Sequence, residues 1–238
     1  MTETQKSLLQ NVDDALSRPG AWWVVASNAI PVIGVLLFGW SAFPLLVFYW
    51  IENVVVGAFN VLKILISGFT KSGAALYWAV PMAVFFTLHY GIFCIVHGYV
   101  LIGMLTIAEI TMTNVEPDSH AFELLPRVMK ALVEDQDLAW SVVGLIAIQL
   151  GAFILLWLWS GKWRESDPVR QVFEPYGRVI VLHLTLFFAA IPVVLIGQPQ
   201  FAVFMLAVMK SGLELGLPHF GVDPEIGITG DRSKKPGQ

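Results

Sequence analysis

The stretch FYWIENVVVGAFNVLK, residues 48–63, decides how the chain folds. It is apolar over most of its length, yet it carries Glu52, Asn53, Asn60 and Lys63. At a helical turn of about 100° per residue, Tyr49, Glu52, Asn53, Asn60 and Lys63 fall within one stripe about 100° wide, while Val54, Val55 and Leu62 cover the other sides. A charged side chain at mid-bilayer costs roughly 2.5–3.5 kcal/mol. Such a helix therefore has to turn its stripe toward protein or water.

Working outward, five further apolar stretches flank this one. A bilayer core about 30 Å thick needs roughly 20 apolar residues per helix, and the six that qualify are 21–40, 42–67, 75–106, 138–160, 178–197 and 199–217. The last two are joined by Gly197-Gln198-Pro199-Gln200, which makes them an antiparallel hairpin. The expected fold is all-α, a polytopic membrane bundle of about six helices.

Basic residues near span ends set the orientation. With the N-terminus inside, the inner side holds Lys6, Arg18, Lys63, Lys71, Lys162, Arg164, Arg170, Arg178, Lys210, Arg232, Lys234 and Lys235, against only Arg127 and Lys130 outside. Both ends are thus expected in the cytoplasm. The division is 1–20 as a cytoplasmic segment, 21–219 as the transmembrane domain with an outer loop at 108–137, and 220–238 as a cytoplasmic tail. In residues 4–17, Leu9, Val12 and Leu16 recur at helical spacing, as in a short interfacial helix or a frayed tail; the mixed charge of residues 1–20 is not that expected of a secretory signal. In the outer loop, Phe122, Leu125, Met129 and Leu132 predict one face of an amphipathic helix that starts near Ser119 and lies on the outer surface. The inner loop 161–177 holds two prolines, which limit it to a short element.

Composition agrees. Hydrophobic residues make up 56% and charged residues 13%, with mean hydropathy +0.70; a soluble domain carries about a quarter charged residues. Membrane lipid is the expected surrounding. No basic stripe points to nucleic acid, and whether the chain forms a homo-oligomer is left open. The single Cys94 excludes an internal disulfide and any Cys-based zinc or iron–sulfur site.

Candidate functional residues are the polar groups within spans. Glu52 is the leading one, as a ligand or general base. Tyr49, Asn53, Asn60 and Tyr90 are candidates for binding a small polar ligand. His89 and His97 on the third span are about 12 Å apart along the axis and 80° round it, so one straight helix cannot bring both to one metal ion. Together with Glu52 from the second span they form a candidate set for a divalent metal such as zinc or iron. An interhelical hydrogen-bond network is the structural alternative. Gly91 and Gly98 are expected to let another helix approach closely. His183 and Glu214, with His219, are read as a secondary cluster on the cytoplasmic side, and Lys210 as the i,i+4 partner of Glu214.

Several chemistries lack their motifs. HExxH, the Gly-x-Ser-x-Gly elbow, the P-loop and the dinucleotide fingerprint are all absent from the sequence. Haem fits poorly, because His97 is expected toward the outer side and His183 toward the inner.

The pattern YW-x-EN-x(6)-N-x-x-K at 49–63, His89-Tyr90-Gly91, His97-Gly98 and Lys210-Ser211-Gly212-Leu213-Glu214-Leu215-Gly216 resemble a bacterial multi-span membrane family of unknown function, DUF6498, over about residues 25–219. The resemblance implies a bacterial cytoplasmic membrane and makes these polar residues a unit. It carries no activity, substrate or cofactor. The functional expectation is an intramembrane site for a metal ion or small polar ligand, with catalysis open. The rivals are a transporter or channel passing protons or cations by Glu52 and the histidines, and a structural scaffold.

Overall fold

In the computed structural model, residues 16–17, 21–69 and 74–215 are described. The expected surface helix at 4–17, the tail at 220–238 and His219 lie mostly or wholly outside them. All regular structure among the described residues is helical.

Helix α1 (Ala21–Leu37) turns into α2 (Ala42–Phe69). Gly39 supplies the left-handed φ of +70° that the turn requires. The Trp40 N–H donates back to the Gly34 carbonyl at 3.0 Å, and the Trp40 ring lies where a side chain on Gly34 would be. Helix α3 (Ala74–Thr113) is 40 residues long, or about 60 Å, and overshoots any bilayer core. Helices α4 (Leu124–Glu134) and α5 (Gln136–Gly151) follow, α5 continuing as a π-helix over Ala152–Trp159.

Helix α6 (Pro168–Phe173) starts with Pro168 in its first turn and Asp167 capping the Val169 N–H at 3.2 Å, as suits a proline that has no N–H of its own. It leads into α7 (Tyr176–Ile196), and Gly197 at φ +72° closes the hairpin to α8 (Gln200–Glu214).

Four segments are long and apolar enough to cross a membrane: Ala42–Phe69, Tyr77–Thr113, Gln136–Trp159 and Pro168–Ile196. Two shorter apolar helices, Asn28–Leu37 and Gln200–Gly212, accompany them. Large apolar side chains such as Leu37, Leu88, Ile148, Leu155, Phe187 and Leu195 stand more than 60% exposed on these helices. A soluble monomer rarely shows so much contiguous apolar surface, whereas a surface of this kind matches lipid.

The central seam is α2 against antiparallel α3. The Trp50 indole N–H donates to the Cys94 carbonyl at 2.8 Å, and the Tyr90 hydroxyl to the Asn53 carbonyl at 3.1 Å. Gly57 makes room for the Tyr90 ring and Gly98 for Trp50 and Leu124, whereas Gly91, expected to do the same, faces open space. One apolar core joins α1, α2, α3, α7 and α8 around Leu46, Leu105, Leu186 and Val203. Another joins α2, α3, α6 and α7 around Ile64, Phe86 and Val172.

The 108–137 segment holds a helix, but it starts at Leu124 rather than near Ser119, and its buried residues lie on another face. Leu124 and Val128 pack against Val47, Ile51 and Ile102. Phe122, Leu125 and Met129 remain about half exposed or more, and only Leu132 of the expected face is partly buried. Loop helices in a membrane protein can present apolar residues on both sides, so periodicity alone did not select the face that meets protein.

Candidate functional site

The polar stripe of α2 faces protein, as its pattern required. Val54 and Leu62, off the stripe, are exposed, while Asn53 and Asn60 are buried and Glu52 is 14% exposed in its side chain. The stripe divides into two stations.

The first is an open cleft of about 80 Å³ lined by Tyr49, Glu52 and Asn53 of α2, Arg178, Val181 and Leu182 of α7, and Leu206, Lys210 and Glu214 of α8. It forms where α7 begins and α8 ends, while α2 and α3 run on past it. Glu52 Oε1 accepts from Arg178 Nη1 at 2.6 Å, and Glu52 Oε2 lies 3.8 Å from Lys210 Nζ. Lys210 lies 3.9 Å from Glu214 Oε1, the i,i+4 pairing its sequence position implied, and 4.9 Å from the centre of the Tyr49 ring. Glu214 Oε2 accepts from Asn28 Nδ2 at 2.9 Å, which ties α1 to α8. Asn53 donates through Nδ2 to the Tyr49 carbonyl at 2.8 Å; its Oδ1 is buried without a partner.

The second station, about two to three turns along α2, is spent on packing. Asn60 Nδ2 donates to the Gln171 carbonyl at 2.7 Å, and Lys63 lies 3.5 Å from Glu174. These contacts hold α6 to α2. Tyr90, committed to the Asn53 carbonyl and 3% exposed, is likewise a brace and does not line the cleft.

The histidines go elsewhere. His97 Nε2 is 3.0 Å from His183 Nδ1, and His97 Nδ1 is 2.6 Å from the Phe93 carbonyl. His97 is therefore not far in depth from His183, contrary to expectation. A depth count from span ends fails because α3 is so long that its seventeenth residue, Tyr90, sits beside Tyr176, the first of α7, with ring centroids 6.2 Å apart. His89 is exposed among the Phe85, Phe93 and Tyr176 rings. The structure thus brings Glu52 to Arg178 and Lys210, not to His89 or His97. Among the described residues no three of His, Cys, Asp and Glu are placed to hold one metal ion. His183 and Glu214 belong to separate groups rather than one secondary cluster.

Arg178 and Lys210 are the partners that the reading of Glu52 had missed. Their signal was available: a lone carboxyl within a span calls for a counter-charge, and both sit at the basic ends of neighbouring spans. Asn28, in an apolar run, was passed over.

A second charged group lies in the 108–137 segment. Arg127 pairs with Glu109, Lys130 lies 3.6 Å from Asp118, and His120 Nδ1 lies 2.9 Å from Glu123 Oε1. Hydrogen bonds from the Ser119 hydroxyl and the His120 backbone, with Lys130 nearby, hold the Asp118 carboxyl below its ordinary range. The Glu123 carboxylate, by its hydrogen bond and charge, raises His120.

The family model of DUF6498, described as a family of unknown function, matches residues 11–225. The chain belongs to DUF6498. The pattern at 49–63 that resembled this family supplies both stations of the stripe in this DUF6498 chain, the open cleft and the α2–α6 contact. No curated protein and no solved structure matches the chain.

Proposed function

We propose that this DUF6498 chain is a multi-span membrane protein that binds a small polar ligand in the cleft between α2, α7 and α8. The observation that carries the reading is a mismatch of commitments along the cleft. Asn53 is 8% exposed and its Oδ1 has no partner, while Lys210, 25% exposed, reaches both carboxylates only at 3.8 and 3.9 Å. A buried acceptor left unpaired costs about 1–3 kcal/mol, and structural networks normally spend such groups. Glu52, held by Arg178 and Lys210, orients those two cations toward the opening. In this role it is a binding-site anchor, and any catalytic part for it would act on a ligand placed there.

The proposed topology is six spans with both ends on the cytoplasmic side of a bacterial cytoplasmic membrane. The twelve-to-two distribution of Lys and Arg supports it. The two short apolar helices supply the fifth and sixth crossings, tied to each other by the Asn28–Glu214 hydrogen bond.

Passage of protons or cations is a second reading, and the His97–His183 contact favours it. That pair places ionisable groups on α7 five residues beyond Arg178, about 7.5 Å further along the helix. Proteoliposome flux separates the two readings. Transport through this route should fall in Glu52→Gln and His97→Ala alike, whereas a binding site without transport gives no flux and a ligand affinity sensitive to Asn53→Ala. Ligand binding unchanged by Asn53→Ala and Lys210→Gln would overturn the binding reading.

A further inference from the structure

We propose that the cleft's ligand is a zwitterion, a small molecule or lipid headgroup carrying an ammonium group and an anionic oxygen group together. The inference rests on the reading of the cleft as a ligand site and names the class it takes.

Two kinds of group with hydrogen-bonding capacity to spare belong to residues that line the same cleft. On the donor side, Lys210 Nζ is 3.8 Å from Glu52 Oε2 and 3.9 Å from Glu214 Oε1, both longer than a hydrogen bond. Its three N–H groups make no hydrogen bond to either carboxylate, so they can turn to an oxygen anion at the cost of two loose ion pairs. Arg178 uses Nη1 on Glu52, and with its side chain 41% exposed the rest of its five-donor fork remains at the cleft wall. On the acceptor side, Asn53 Oδ1 receives nothing, and Glu214 Oε1 has only the distant Lys210.

Charge selects among ligands that could use these groups. The formal charges of Glu52, Glu214, Arg178 and Lys210 cancel. A lone anion or a lone cation would leave the filled cleft with a net charge in an apolar surround, which is strongly disfavoured. A molecule with both groups engages Lys210 and Arg178 through its anion and Asn53 and Glu214 through its N–H groups, and it leaves the cleft neutral. Amine–carboxylate and amine–phosphate compounds both qualify. The second kind also occurs as an ethanolamine phosphate headgroup, which a cleft opening among lipid-facing helices could take from the bilayer.

The test is calorimetric titration of the full chain in non-ionic detergent with glycine and phosphoethanolamine, and with acetate, phosphate and methylammonium as their separate halves. The expected result is measurable affinity for at least one zwitterion and affinity at least about tenfold weaker for each half. A loss of about tenfold should follow in Asn53→Ala and in Lys210→Gln, as charged and buried hydrogen bonds of this kind are worth that much. Variants are first checked for wild-type elution and melting, and Asn53→Ser substitutes where Asn53→Ala fails to fold. Nanodiscs separate the sources: phosphatidylethanolamine, but not phosphatidylglycerol, should suppress phosphoethanolamine binding if the headgroup occupies the cleft. Acetate or phosphate binding as tightly as the zwitterions, with the same loss in Lys210→Gln, overturns the zwitterion class and leaves the site standing. No heat with any probe in either lipid or detergent overturns both.

Discussion

The molecule carries two mixed-charge clusters built from similar residues, and they differ in what surrounds them. In the 108–137 segment, Asp118, His120, Glu123 and Lys130 pair with their side chains 48–62% exposed. At the junction of α2, α7 and α8, Glu52 is 14% and Lys210 25% exposed. Exposed pairs contribute about 0–1 kcal/mol because water and salt screen them. An enclosed carboxyl cannot fall back on water, so its partners matter far more. The first cluster borders a dent of about 20 Å³, and the second a cleft of about 80 Å³. Charge pairing by itself does not mark a site; enclosure together with unspent hydrogen-bonding groups does.

The largest expected effect breaks the enclosed pair. Arg178→Ala leaves Glu52 with Lys210 at 3.8 Å as its remaining partner and should destabilise by about 2 kcal/mol, below the fully buried case because Arg178 is partly exposed. Lys130→Ala in the exposed cluster should cost under about 0.5 kcal/mol. Equal losses in melting measurements would erase the distinction between the clusters.

Next is the seam beneath the cleft. A methyl on Gly57 would come within 2.5 Å of the Tyr90 ring, so Gly57→Ala should cost about 1.5 kcal/mol by overpacking. Gly91→Ala meets nothing within 4 Å and should be neutral or slightly stabilising in a helix. Denaturation of both variants in detergent checks the pair. Smaller again is His183→Ala, which removes the 3.0 Å contact with His97 and should cost about 1 kcal/mol, with Glu52-dependent binding unchanged.

The smallest effect is pH-dependent and confined to the 108–137 segment. The raised value of His120 means that its contribution is present below the ordinary 6.5 and fades as pH rises through the raised native value. Glu123→Gln should remove that dependence. Asp118, lowered, behaves in the opposite sense: its contribution is present above the ordinary 3.8 and is lost as pH falls through the depressed native value. Hydrogen exchange in 118–123 across pH 5–8, with and without Glu123→Gln, reads the His120 effect; a profile unaltered by the substitution would refute it.

The helical architecture and the inward stripe of α2 were legible because bilayer cost and helical period act on the sequence directly. Tyr49, Glu52 and Asn53 lie together in the cleft for that reason. Their partners were not legible, since contact between helices depends on relative depth. The 40-residue α3 breaks any depth count made from span ends, which is why His97 and His183 were expected apart and Glu52 was joined to the wrong side chains. The face of α4 failed for another reason: in a lipid setting, apolar residues are stable on either side of a surface helix, and only the position of Val47 and Ile102 picks Leu124 and Val128.

A double-mutant cycle of Glu52→Gln and Arg178→Gln, read as unfolding free energy in a fixed detergent, reaches the centre of this account. A coupling above about 1 kcal/mol, well beyond that of Glu123→Gln with His120→Ala, is the predicted result. Additive losses would mean that Glu52 and Arg178 do not hold each other, and the cleft as described would not exist.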